Sequence, residues 1–170
     1  MEKQNPTVSI LMGSESDWPV MEGGARILKE FGVPFEARVL SAHRTPEAVR
    51  SYVRSADGRG VKVIIAGAGM AAHLAGVVAS AFSLPVIGVP IASGNLKGLD
   101  ALLATVQMPS GVPVATVAIG GARNAAVLAL QILATGDDEL KRRLETYTSD
   151  MVERVDEMDA RVQALAAELD

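Results

Sequence analysis

The chain has 170 residues and a formal net charge of −4, with 49% hydrophobic, 21% charged and only 4% aromatic residues. That balance predicts one globular domain with an aliphatic core, and it argues against disorder and against nucleic acid as a partner. With no cysteine and only two histidines, disulfides, thiolate nucleophiles and Cys/His metal centres are excluded, and no metal is expected.

Residues 1–6 are polar and carry no apolar leader, and no stretch is apolar enough to span a bilayer, so a cytoplasmic location and no membrane partner are expected. Val8–Met12 reads as a buried strand and 17–31 as the helix after it. Residues 34–40 read as a second strand with a helix at 45–57, and 61–67 as a third with a small-residue helix at 71–82. A fourth strand at 85–90 precedes a short helix near 97–105, and a fifth at 114–119 precedes a helix at 122–135. Strands apolar on both faces and separated by helices predict a three-layer α/β fold with a doubly wound parallel sheet. Neither a repeat nor a linker is visible, so residues 1–170 read as a single domain.

Residues 137–170 differ from the rest. Leu140, Leu144, Tyr147, Met151, Val155, Met158, Val162, Leu165 and Leu169 recur at three- and four-residue steps. This predicts one long amphipathic helix, an extension whose stripe packs on another subunit or along its own sheet.

In such a sheet, ligands bind beyond the carboxyl ends of the strands. After the first strand comes Gly13-Ser14-Glu15-Ser16-Asp17. A tight glycine turn, two hydroxyls and a helix start make a plausible phosphate cradle, with Asp17 suited to ribose hydroxyls. The plainer alternative is a helix cap. After the second strand comes Ser41-Ala42-His43-Arg44-Thr45-Pro46. Thr45 and Pro46 suit a helix start. No structural rule asks for Ser41, His43 or Arg44; Arg44 offers a forked donor for phosphate, and His43 a group able to give and take a proton near neutral pH.

Gly67-Ala68-Gly69-Met70-Ala71-Ala72 fits a loose dinucleotide pattern, but the acidic residue that should end the next strand is missing at Val89-Pro90-Ile91-Ala92. A glycine-rich wall for a planar ligand is the better reading, with His73 either lining it or serving a buried structural role. The Pro/Gly-rich segment 107–113 reads as a shaped loop. No P-loop and no nucleophile elbow is present.

Taken in order over residues 8–144, several segments resemble the PurE family. They are Gly13-Ser14-Glu15-Ser16-Asp17-Trp18, Ser41-Ala42-His43-Arg44-Thr45-Pro46, the run Ala66-Gly67-Ala68-Gly69-Met70-Ala71-Ala72-His73-Leu74, Val106-Gln107-Met108-Pro109, and Asn124-Ala125-Ala126. The nearer resemblance is to class I, the N5-carboxyaminoimidazole ribonucleotide mutases of purine synthesis.

The resemblance implies a flavodoxin-like fold, a homo-octamer joined partly by C-terminal segments, and a ribonucleotide substrate with one 5′-phosphate. The implied reaction moves a carboxylate from an exocyclic nitrogen to ring carbon C4 with no cofactor. By motif, it implies that Ser14, Ser41 and Arg44 hold phosphate, Asp17 holds ribose and His43 is the acid/base. Gly13 belongs to the same binding turn. Gly67, Ala68, Gly69, Ala71, His73 and Leu74 would surround the imidazole and the migrating carboxylate. Two departures stand out, Leu74-Ala75-Gly76 after the histidine and Gly120-Gly121-Ala122-Arg123-Asn124. A direct carboxylase using CO2 is the alternative. A non-catalytic receiver or nucleotide-binding module is more remote, because the first and third strands end without the acidic residues a receiver needs.

Overall fold

The computed structural model describes residues 5–169. The last position of the expected terminal helix, and most of the polar 1–6 stretch, lie outside them. Strands β1 (Val8–Met12), β2 (Phe35–Val39), β3 (Val63–Gly69), β4 (Val86–Ile91) and β5 (Ala115–Thr116) form one sheet, ordered β2-β1-β3-β4-β5. Every pairing is parallel. The helices are α1 (Trp18–Glu30), α2 (Pro46–Ala56), α3 (Leu74–Ala79), α4 (Leu99–Val106), α5 (Ala122–Ala134) and α6 (Asp138–Ala167). This is the three-layer, doubly wound arrangement expected from the alternating pattern, with helices on both faces.

By internal contacts the chain divides into two compact units, one ending at Ala129 and the other beginning at Leu130. In the first, β1 and β4 are buried along their whole length, as central strands covered on both faces must be. One face packs against α2 and α3 through a cluster that includes Leu11, Val49, Val53, Ile64, Leu74 and Val78. On the other, a Cβ at Gly67 would overlap Met21 of α1. The glycine therefore lets a buried methionine fill the space over β3.

The third-strand boundary differs from the expected 61–67. Pairing of Ala68 with Pro90 and of Gly69 with Ile91 carries β3 two residues further. Small residues permit this, although glycine reads locally as a strand end. The following helix begins at Leu74 rather than 71, because Met70 takes a left-handed φ of 54° and turns the chain. β5 is two residues long, not six, and Ile119 is exposed instead of paired.

Edge strand β2 is tied down by a polar cluster. Tyr52 Oη bridges Ser9 Oγ at 2.5 Å and Glu36 Oε1 at 2.7 Å. Arg59 pairs with Glu36 and lies 4.7 Å from the Tyr52 ring centroid. Burial pushes the Glu36 carboxyl up, but hydrogen bonds from Tyr52 and Arg59, with the charges of Arg59 and Arg38, outweigh it and leave the group below its ordinary range. A carboxyl held low in the folded state favours folding above its unfolded pKa, and that contribution is lost as pH falls through the folded value. Denaturant titrations from pH 6 to pH 3 are therefore expected to show a stability loss that is smaller in Glu36→Gln. Equal slopes in the two proteins would refute the linkage.

In the second unit, Asp137 caps α6 by accepting from the Leu140 N–H at 3.0 Å. Leu140 is buried, whereas Met151, Val152, Val155, Met158, Val162 and Leu165 are exposed along the remaining helix. Among the described residues, no helix is long and apolar enough to cross a membrane.

Candidate active site

Parallel strands bring the loops after β1, β2, β3 and β4 to one edge of the sheet, around a cavity of about 450 Å³. Nine of the residues singled out by sequence line it: Gly13, Ser14 and Asp17; Ser41, His43 and Arg44; Gly69, Ala71 and Leu74. His73 joins the site through His43. Gly67 and Ala68 do not line the cavity: Gly67 is buried in the sheet over Met21, and Ala68 packs against the core between the sheet and α2 and α3.

The first loop forms the cap of the plainer alternative, and its residues also line the cavity. Ser14 caps a 3-10 turn at Glu15–Asp17, its hydroxyl accepting from the Ser16 N–H at 3.3 Å. In return the Asp17 carboxylate accepts from the Ser14 N–H at 3.0 Å. Asp17 is 8% exposed. Burial lifts its carboxyl above the ordinary range, while N–H groups of Ser14 and Gly13 and the charge of Arg44 pull the other way. The cap thus fixes a carboxylate that still lines the cavity.

The second loop closes on itself. Thr45 stands at the N-cap position of α2 but makes no cap there. Its hydroxyl instead donates to the Ser41 carbonyl at 3.1 Å and accepts from the Ser41 N–H at 3.0 Å. That latch holds Ser41, whose Oγ accepts from the Arg44 N–H at 3.1 Å and from Arg44 Nε at 3.3 Å. Arg44 Nη2 donates to the Gly13 carbonyl at 2.7 Å, joining the loops after β1 and β2. A permanent cation is thereby held beside the Ser41 hydroxyl and the Gly13 turn, in a cavity that Ser14 also lines, a suitable donor set for an anion.

His43 Nε2 lies 2.9 Å from His73 Nδ1, with the rings edge to face at 76°. One proton occupies the space between them, so the ring that donates fixes the tautomer of the other. Both rings are exposed. His73 is therefore not the buried histidine of the plainer alternative; it contacts the His43 ring at the cavity.

Ser16, whose hydroxyl the sequence offers beside Ser14, and Met70 of the glycine-rich wall also line the cavity, as do Ala42 and Ser93, to which sequence reasoning gives no role. The strand-end rule would have found Ser93, since it follows β4 as Ser41 follows β2. Arg123, a departure from the family pattern, lays its stem against Gly23 of α1, where an added Cβ would meet Arg123 Cγ at 3.2 Å.

The family profile described as AIR carboxylase matches residues 7–154. The chain belongs to the AIR carboxylase family. Among its relatives, the N5-carboxyaminoimidazole ribonucleotide mutase of Pyrococcus horikoshii is 56% identical over 168 residues, 99% of this chain and 95% of that protein. The mutase of Saccharolobus solfataricus is 57% identical over 159 residues, 94% and 99% of the two chains. The crystal structure of Treponema denticola PurE superposes with a TM-score of 0.84 at 33% identity, covering 92% of this chain and 98% of that one. For an AIR carboxylase family member, the loops after β1, β2 and β3 are the segments expected from the PurE resemblance.

Proposed function

We propose that this chain is an N5-carboxyaminoimidazole ribonucleotide mutase, an enzyme of purine synthesis that converts its substrate reversibly to 4-carboxy-5-aminoimidazole ribonucleotide. The observation that carries the reading is one cavity lined by Arg44, Ser41, Ser14 and His43, with His73 in contact with His43, groups suited to holding an anion and moving a proton. The naming of relatives more than 50% identical over nearly the whole chain supports it.

In this reading the 5′-phosphate lies on Arg44, Ser41, Ser14 and the Gly13 turn, and Asp17 accepts from ribose hydroxyls. Gly69, Ala71 and Leu74 face the imidazole. Protonated His43 gives its proton to the carbamate nitrogen. The N–C bond breaks, its electrons stay on nitrogen, and CO2 is released into the cavity. Ring carbon C4 attacks CO2, forming the C–C bond, and neutral His43 removes the C4 proton. The proton balance closes on one residue, so the reaction needs neither metal nor cofactor. Holding CO2 against C4 makes recapture effectively unimolecular.

The family description, AIR carboxylase, favours a second reading in which free CO2 is the co-substrate. Product formation separates the two. Rapid conversion of the carbamate, with little product from aminoimidazole ribonucleotide at low bicarbonate, supports the mutase; efficient use of dissolved CO2 overturns it in favour of the carboxylase.

The protein is further proposed to act in the cytoplasm as a homo-octamer, with the 137–170 extension packed between subunits. The support is the apolar stripe of α6, whose exposed length would be a liability in a monomer. A monomeric mass in solution would contradict the assembly.

A further inference from the structure

The wall of the cavity beyond β4 carries a hydroxyl that the roles above leave unused. Ser93 lines the cavity and is half-buried. Its Oγ lies against Gly69, where any Cβ would overlap it. Every other polar side chain lining the cavity is hydrogen-bonded to a protein atom. Among the described residues Ser93 Oγ has no such partner. A sheltered hydroxyl without a partner, packed where glycine makes room for it, is placed to meet a ligand.

Strand order says which part of a ligand it meets. Arg44 follows β2 and Ser93 follows β4, and β1 and β3 lie between them. Three strand spacings separate the two ends by about 14 Å at the level of the sheet. With phosphate on the Arg44 side, the far end of an imidazole ribonucleotide, where C4 carries its carboxylate, falls toward Ser93. Met70, turned by its left-handed backbone and packed near Gly94, adds an apolar cover on this side.

We propose that Ser93 is a specificity-determining residue whose hydroxyl donates to the carboxylate on C4. The chemistry favours a neutral donor there. The carboxylate must form from CO2 and revert to it, and a fixed cation would hold the anion against that reversal, whereas a hydroxyl recognises it more weakly. This proposal rests on the cavity's holding a carboxylated imidazole ribonucleotide, as set out above.

The test compares two ligands that differ only in the carboxylate, 4-carboxy-5-aminoimidazole ribonucleotide and 5-aminoimidazole ribonucleotide, by calorimetry on wild type and Ser93→Ala. Alanine keeps the Cβ, so the wall against Gly69 is preserved, and an unchanged melting temperature verifies this. Affinity for the carboxylated ligand is expected to fall about tenfold, the loss of one hydrogen bond to a charged group, with the other ligand unaffected. Equal loss for both ligands, or loss for neither, overturns the role of Ser93. If wild type binds neither, the reading of the cavity fails as well, a result distinct from the first two. Should alanine lower the melting temperature, Ser93→Cys keeps the volume with a weak donor, and the same selective loss is required of it.

Discussion

His43→Asn is expected to lower turnover by about 10³-fold, within the 10²–10⁴ range of general acid–base catalysis, while aminoimidazole ribonucleotide binds nearly as before. The loss is expected to be large because, in the proposed reaction, one ring performs both transfers, protonating the carbamate nitrogen and then deprotonating C4. Asparagine is polar and cannot carry a titrating proton. Its shorter side chain also frees His73 from the 2.9 Å contact, so the pair is lost as a unit. Reversibility sharpens the expectation. Forward and reverse kcat/KM must fall by the same factor, because the equilibrium constant belongs to the reactants and not to the enzyme. Single-turnover measurements in both directions check this. A variant within about tenfold of wild type would remove His43 from the chemistry.

Arg44→Met is expected to act on binding instead. The stem volume is retained and the charge removed. Two charge-assisted hydrogen bonds to phosphate, at about 1.5–3 kcal/mol each, correspond to a rise in Kd of at least 10²-fold. The phosphate is remote from the reacting atoms, so KM should rise far more than saturated kcat falls. Two controls separate this from damage to the loop, since Arg44 also bonds Gly13 and Ser41. The nucleoside lacking phosphate should bind wild type and variant alike. Ionic strength should weaken nucleotide binding to wild type more than to the variant. If the nucleoside loses as much affinity as the nucleotide, Arg44 is a structural brace and not the phosphate donor.

The parallel sheet was legible because buried central strands write long aliphatic runs, as Val8–Met12 and Val86–Ile91 do. The loops after β1 and β2 were legible because His43 and Arg44 answer no structural demand of a helix start. The end of β3 was not. Glycine permits both a loop and a strand, and only the pairing of Ala68 and Gly69 with β4 decides between them. That error placed Gly67 at the site, whereas its missing side chain makes room for Met21. Thr45 was read as a cap from its position. Its bonds to Ser41 are a choice between two nearby backbone partners that spacing cannot resolve. The histidine contact joins residues thirty positions apart, and only the strand order brings them together.

The Thr45 latch and the Ser14–Asp17 cap bear on how this protein can change. The hydrogen bonds that shape the cavity are the same ones that hold the 3-10 turn after β1 and the loop that leads into α2. A substitution at Ser14, Asp17, Ser41 or Thr45 is therefore expected to disturb the local backbone and the shape of the cavity together. Exposed wall positions such as Met70 and Ala71 carry no such double duty. Variation in substrate preference, by drift or by directed evolution, has its open route through the β3 and β4 side of the cavity and a closed one through the β1 and β2 side.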